Sequence, residues 1–95
     1  MIKVNHDSGK CRFDAVRDEQ PAGYCMYELD GDTVTFTHTV VQPEFEGEGV
    51  GSALARFVLE DSRNQGLKVV PACRFIAAYI ERHDEFKPLV ASGNA

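Results

Sequence analysis

Between Thr33 and Glu60 the chain reads TVTFTHTVVQPEFEGEGVGSALARFVLE, and its hydrophobic period changes once. That change constrains the fold more than any other feature. From Thr33 to Val41 the residues alternate, with Val34, Phe36, His38 and Val40 on one side and Thr33, Thr35, Thr37 and Thr39 on the other. A period of two marks a half-buried strand. From Val50 the apolar residues fall at Val50, Ala53, Leu54, Phe57 and Val58, the stripe of an amphipathic helix. Between the two lie Gly47, Gly49 and Gly51 on alternate positions. Glycine costs roughly 1 kcal/mol in a helix interior. Three of them where a helix starts ask either for unusual dihedrals or for close approach to the backbone.

The rest of the chain supplies partners for this strand–loop–helix unit. Met1–Asn5 reads as a short strand, His6–Gly9 as a turn and Lys10–Asp18 as a second strand, with Cys11, Phe13 and Ala15 on one face. A break is expected over Glu19–Gly23, then a third strand over Tyr24–Leu29 and a tight hairpin at Asp30–Asp32. The helix should stop near Asn64–Gly66, where Gly66 suits the left-handed position after a helix end. Leu67–Cys73 is nearly continuous in apolar residues, as for a strand buried on both faces. Arg74–Phe86 reads as a second helix. The order is β-β-β-β-α-β-α, a mixed α+β fold. An antiparallel four-strand meander leads into a right-handed crossover, so the fifth strand should run parallel to the fourth.

With 95 residues, the chain suits one domain over 1–95, large enough to bury roughly 60–70% of its unfolded surface. No apolar run approaches the ~20 residues of a membrane span, and MIKVNHDSGK lacks the apolar core of a signal peptide, which points to the cytoplasm. A net charge of −5 with no basic run disfavours nucleic-acid and anionic-membrane partners, which need a cationic face. Cys11, Cys25 and Cys73 are odd in number and, like His6, His38 and His83, lack metal-ligand spacing, so neither a disulfide framework nor a metal site is expected. The terminal ASGNA reads as a frayed tail.

A glycine-rich turn at the start of a helix presents backbone N–H groups at the positive end of the helix dipole, where phosphate binds. The alternative is a merely tight loop. Neither G-x-G-x-x-G nor Gly-Lys-Ser/Thr is present, so the dinucleotide and nucleotide-triphosphate loops do not apply.

EFEGEGVGSAL after TFTHTVV resembles the cofactor loop of the GCN5-related N-acetyltransferases, usually Gln/Arg-x-x-Gly-x-Gly/Ala. Gly49 and Gly51 match the two small positions, and Glu46 stands where Gln or Arg is usual. A more specific resemblance, from about Tyr24 to the C-terminus, is to a compact single-domain branch of that superfamily. It is carried by His38–Val41, Gly47–Gly51 and Leu67–Cys73 in that order. The resemblance implies a protein that binds acetyl-coenzyme A and transfers acetyl to an amine or a protein acceptor. It implies cofactor contacts from Val40, Val41, Glu46, Gly47, Glu48, Gly49, Val50, Gly51 and Ser52. Glu46 and Glu48 near a pyrophosphate are electrostatically unfavourable and should lower affinity. Larger members place two helices between their first two strands. Here that segment is a turn, so the acceptor site should be shallow or completed by another subunit, with a monomer or weak homodimer expected.

Two side chains are candidates for the chemistry. A neutral His38 can accept a proton from an attacking amine. Cys73, at the start of the last helix, can accept an acetyl group or protonate the departing thiolate. Either can instead be a packed residue. Tyr79, His83, Cys11, Cys25 and Glu44 read as packing or solvated positions. Two further functions stay open: a non-catalytic module that binds coenzyme A or a partner, and a redox-sensing or structural domain in which only Cys73 matters.

Overall fold

A computed structural model describes residues 1–91. Five strands form one sheet in chain order: β1 (Ile2–Asp7), β2 (Arg12–Arg17), β3 (Gln20–Asp30), β4 (Thr33–Val41) and β5 (Lys68–Pro71). β1 to β4 pair antiparallel and β5 joins β4 in parallel, as the hydrophobic pattern predicts. The crossover helix α1 (Val50–Asn64) packs across the strands, and α2 (Arg74–Arg82) lies beside it over β4 and β5. Both helices therefore cover the same face. Their buried stripes, Val50, Leu54, Ala55, Val58 and Leu59 on α1 and Ile76, Tyr79 and Ile80 on α2, share one core with Phe13, Ala15, Cys25, Tyr27, Val34, Phe36 and Val69 of the strands. The opposite face carries Arg12, Asp14, Tyr24, Met26 and Thr35, all half-buried, with no helix across it among the described residues. There the Arg12 guanidinium stacks 4.0 Å above the Tyr24 ring and pairs with Asp14.

Several boundaries differ from the sequence reading, the first being β1, which runs on through His6 and Asp7, inside the expected turn, with the turn itself falling at Ser8–Lys10. β3 begins at Gln20, inside the expected break. The turn before it is the two-residue Asp18–Glu19 loop, with φ of 49° and 69°, which matches the twist of a hairpin. An Asp-Glu pair lacks the glycine that usually signals such a turn. Pro21 is accommodated because the ladder slips there: Val16 faces Pro21 and Ala15 faces Gly23, leaving Ala22 as an extra residue. α2 ends at Arg82, and Asp84–Leu89 continue as 3-10 turns that bury Phe86. Val90 then bridges Val69 at the edge of β5. The expected frayed tail falls from residue 92 onward outside the described residues.

The consequential irregularity is in β4. Tyr27 faces Phe36, but Met26 faces His38, so Thr37 is an extra residue in the β3–β4 ladder. A one-residue slip sends every following side chain to the other face. Val34 and Phe36 are buried under the helices, whereas His38 and Val40 are exposed. This corrects the strict alternation expected from the sequence, which put His38 and Val40 on the face of Val34 and Phe36. The parallel pairing of β4 with β5 runs from Thr33–Lys68 to Phe36–Pro71, so the bulge coincides with the point where the two strands part.

Candidate active site

Gly47 and Gly49 take left-handed dihedrals, with φ of 84° and 86°, and a Cβ at either position would meet nothing within 4 Å. They serve the backbone path. Gly49 is the N-cap of α1 with no side-chain cap, and the helical ladder begins with Ala53 N–H donating to the Gly49 carbonyl at 3.0 Å. The amides of Val50, Gly51 and Ser52 thus lie outside the ladder, at the positive end of the helix. Gly51 is glycine for a different reason. A Cβ there would lie 2.6 Å from Cζ of Phe75, whose ring covers the start of α1.

An open groove of about 460 Å³ runs past this helix end, lined by Val41, Phe45, Glu46, Gly47, Gly49, Val50, Gly51, Ser52 and Phe75. Seven of the nine residues assigned to cofactor contact from sequence therefore lie together. Val40 and Glu48 do not line it. The bulge turns Val40 to the open face, and the Glu48 carboxylate reaches back to the Arg17 guanidinium at 2.7 Å. Glu46 does line the groove, and no Lys or Arg lines it with Glu46. Phe45 and Phe75 also line it, and nothing in the local sequence marks either one: Phe45 closes the turn after β4, and Phe75 lies in the first turn of α2.

Cys73 lies next along β4 from this groove. Its backbone N–H donates to the Phe36 carbonyl at 2.9 Å, just past the last β4–β5 pair, and its carbonyl starts the ladder of α2. The thiol donates to Thr39 Oγ1 at 3.3 Å, and the Thr39 hydroxyl donates to Cys25 Sγ at 3.6 Å. Only 9% of Cys73 is exposed. Thr39 and Val41 are on the same face of β4, about 7 Å apart along the strand, so the threonine that meets the thiol and a residue that lines the groove are successive positions on that face.

His38 stands on the other side of β4. Its Nδ1 is 3.1 Å from Thr37 Oγ1, which also lies 3.3 Å from the Met26 carbonyl, and the imidazole is exposed on this face. The structure does not bring His38 and Cys73 to one face. It places an exposed imidazole on the open side of the sheet and a thiol on the helix side, near the gap between β4 and β5.

Of the remaining sequence candidates, Glu44 is exposed, Cys11 and His83 are half-buried, and Tyr79 and Cys25 are packed in the core. Tyr79 is buried and stacks on His83 at 3.8 Å, and His83 Nδ1 meets the Tyr79 carbonyl at 2.7 Å. Cys25 is fully buried. Burial pushes its thiol up to about 11, partly offset by the Thr39 hydroxyl, with the nearby Cys73 thiol adding to the rise. Among the described residues no cluster of His, Cys, Asp and Glu is suited to a metal, and no helix is long and apolar enough to cross a membrane.

The family model of the GCN5-related N-acetyl-transferases matches residues 12–89, most of the chain. The chain belongs to this family. Among solved structures, a GCN5-like protein from Staphylococcus aureus superposes with a TM-score of 0.73 at 25% identity, over 94% of this chain and 87% of that one. The ribosomal-protein-S18-alanine N-acetyltransferase of Escherichia coli gives 0.62 at 20% identity, over 80% of this chain and 50% of the enzyme. The N-acetylglutamate synthase of Neisseria gonorrhoeae, solved with coenzyme A and N-acetyl-glutamate, gives 0.61 at 14% identity, over 85% and 22%. This acetyltransferase-family chain thus spans most of the staphylococcal protein, half of the Escherichia coli enzyme and about a fifth of the Neisseria one. A search of the curated proteins returned no match.

Proposed function

We propose that this protein binds acetyl-coenzyme A in the groove at the start of α1 and transfers the acetyl group to an amine, either a small molecule or a protein lysine. The observation that carries the reading is the uncapped N-terminus of α1 with Gly47 and Gly49 in left-handed conformations, opening directly onto the groove. The amides of Val50, Gly51 and Ser52 would hold the pyrophosphate, and the missing side chains let it approach. The Neisseria relative of the same fold holds coenzyme A. A single carboxylate, Glu46, and no cation among the lining residues makes the expected affinity modest.

In this reading the donor comes from the helix side and the acceptor from the open face of the sheet. His38 takes the proton of the attacking amine. Cys73 gives its Sγ proton to the departing thiolate, so the nitrogen–carbon bond forms as the carbon–sulfur bond breaks and charge is returned by proton exchange with water. The wide face around Tyr24, Met26 and Val40, with no helix across it, suits a flat or extended acceptor.

Alkylation kinetics of the three cysteines, followed by mass spectrometry, test this. Acetyl-coenzyme A should slow labelling of Cys73, or leave an acetyl mark on it if the thiol is instead the first acceptor, while Cys11 and Cys25 are unaffected. Labelling of Cys73 that ignores saturating cofactor would overturn the assignment.

A further inference from the structure

Thr39 stands between two cysteines, and the direction of its hydrogen bonds suggests what it is for. Cys73 donates to Thr39 Oγ1, Thr39 donates to Cys25 Sγ, and Cys25 in turn points its thiol at the Met26 carbonyl at 4.0 Å. The chain starts at the gap between β4 and β5 and ends in the core, where Cys25 has no exposed surface. We propose that Thr39 is a positioning residue for Cys73, a reversible hydrogen-bond switch that holds the thiol in place when protonated and donates to the sulfur once the proton has left. The proposal rests on the proposed role of Cys73 in acetyl transfer.

The switch needs only a hydroxyl rotation. With Cys73 protonated, its S–H donates to Thr39 Oγ1 and the Thr39 proton goes to Cys25. When Cys73 loses its proton, to a departing thiolate or to water, the Thr39 hydroxyl turns and donates to the new thiolate. Cys25 can then donate its own S–H to Thr39 Oγ1, so the oxygen never lacks a partner. This works only if Cys25 stays protonated, and its burial, which holds the thiol near 11, ensures that it does. A hydrogen bond to the charged form favours that form. A valine in place of Thr39 would fill the same space and supply neither function.

Few other groups compete. Cys25 is the titratable side chain that faces Cys73 from β3. On β4, His38 points to the opposite face. On α2, Arg74 is exposed at the first turn, and the core-facing residues of α1 nearby are Val50, Gly51, Leu54 and Ala55, which carry no charge. The bulge at Thr37 is what makes the arrangement possible. Without the slip, Thr39 would face the open side, and no hydroxyl would stand between the two thiols.

The test is the pH dependence of Cys73 alkylation by iodoacetamide in the free protein, read peptide by peptide. Thr39→Val should move the half-maximal pH up by about one, an approximately tenfold loss of rate below the midpoint. Thr39→Ser, which keeps the hydroxyl, should restore it. Cys25→Ala removes a partner of Thr39 in both states, the acceptor of its proton with the thiol and the donor to Oγ1 with the thiolate, so it should move the midpoint by less than Thr39→Val. An unchanged midpoint in Thr39→Val would overturn the proposal. If that variant does not fold, as judged by circular dichroism, Thr39→Ala, which also removes the hydroxyl, is read in its place, and a wild-type midpoint there would overturn the proposal. Coenzyme A titration of the same variants separates this from the proposed function. Absent binding in the wild type would remove the acetyl-transfer reading while leaving the midpoint shift standing.

Discussion

Gly51 lies directly under the ring of Phe75, so close that a Cβ would come within 2.6 Å of Cζ, while Gly47 and Gly49 have open space where a Cβ would go and backbones that disfavour one. One motif therefore contains glycines of two kinds, and they should respond differently to the same substitution.

Gly47→Ala and Gly49→Ala force an L-residue into the left-handed region, at a cost of roughly 1–2 kcal/mol each. Gly51→Ala has a normal φ and gains helix propensity of about 1 kcal/mol, set against displacement of the far end of the Phe75 side chain, a residue that is 36% exposed. Denaturant melts should show a clear loss for the first two and a change within about 1 kcal/mol for the third. In Gly51→Ala the Phe75 ring resonances should move and coenzyme A should bind more weakly, because that ring lines the groove. Equal destabilisation by all three would mean that the ring contact does not distinguish Gly51.

The two carboxylates of the loop should also separate. Glu46 lines the groove and Glu48 is tied to Arg17. Glu46→Arg should tighten coenzyme A binding by about 1 kcal/mol, near fivefold, at low salt. Glu48→Gln should leave affinity unchanged and cost little stability, since the ion pair it breaks is partly exposed. Calorimetric titration at two salt concentrations reads both, and a stronger effect at Glu48 would reverse the assignment.

The meander, the parallel fifth strand, the crossover helix and most of the groove are legible in the sequence, because each depends on a local period or on glycine at a turn. The side of β4 that His38 occupies is not. Alternation through Thr33–Val41 looks unbroken, and the extra residue at Thr37 exists only in relation to Met26 and Tyr27 of another strand. The same is true of Phe75, placed by helix packing far from the loop in sequence, and of Glu48, whose partner Arg17 comes from β2. Candidate residues were recognisable by type, whereas their facing was set by tertiary pairing.

Stability should fall at alkaline pH through Cys25. Its folded thiol holds its proton up to about 11, against 9.0 in the open chain. The folded state therefore binds the proton more tightly, so this contribution is fully present below about pH 9 and is lost as the pH rises toward 11. Two pH units correspond to on the order of 2–3 kcal/mol. Tyr27, also raised chiefly by burial, adds to the loss at the upper end. Thermal melts from pH 8 to 11 should show a smaller decline in Cys25→Ala than in the wild type, and parallel curves would contradict the attribution.

The central claim is that the start of α1 is a coenzyme A site. Titration of the labelled protein with coenzyme A, followed by backbone amide NMR, tests it most directly. The account predicts the largest shifts at Gly47 through Ser52 and at Phe75, with Gly31 and Asp32, in the hairpin at the opposite end of β4, unmoved. No shifts at millimolar ligand, or shifts confined to segments outside the groove, would contradict it.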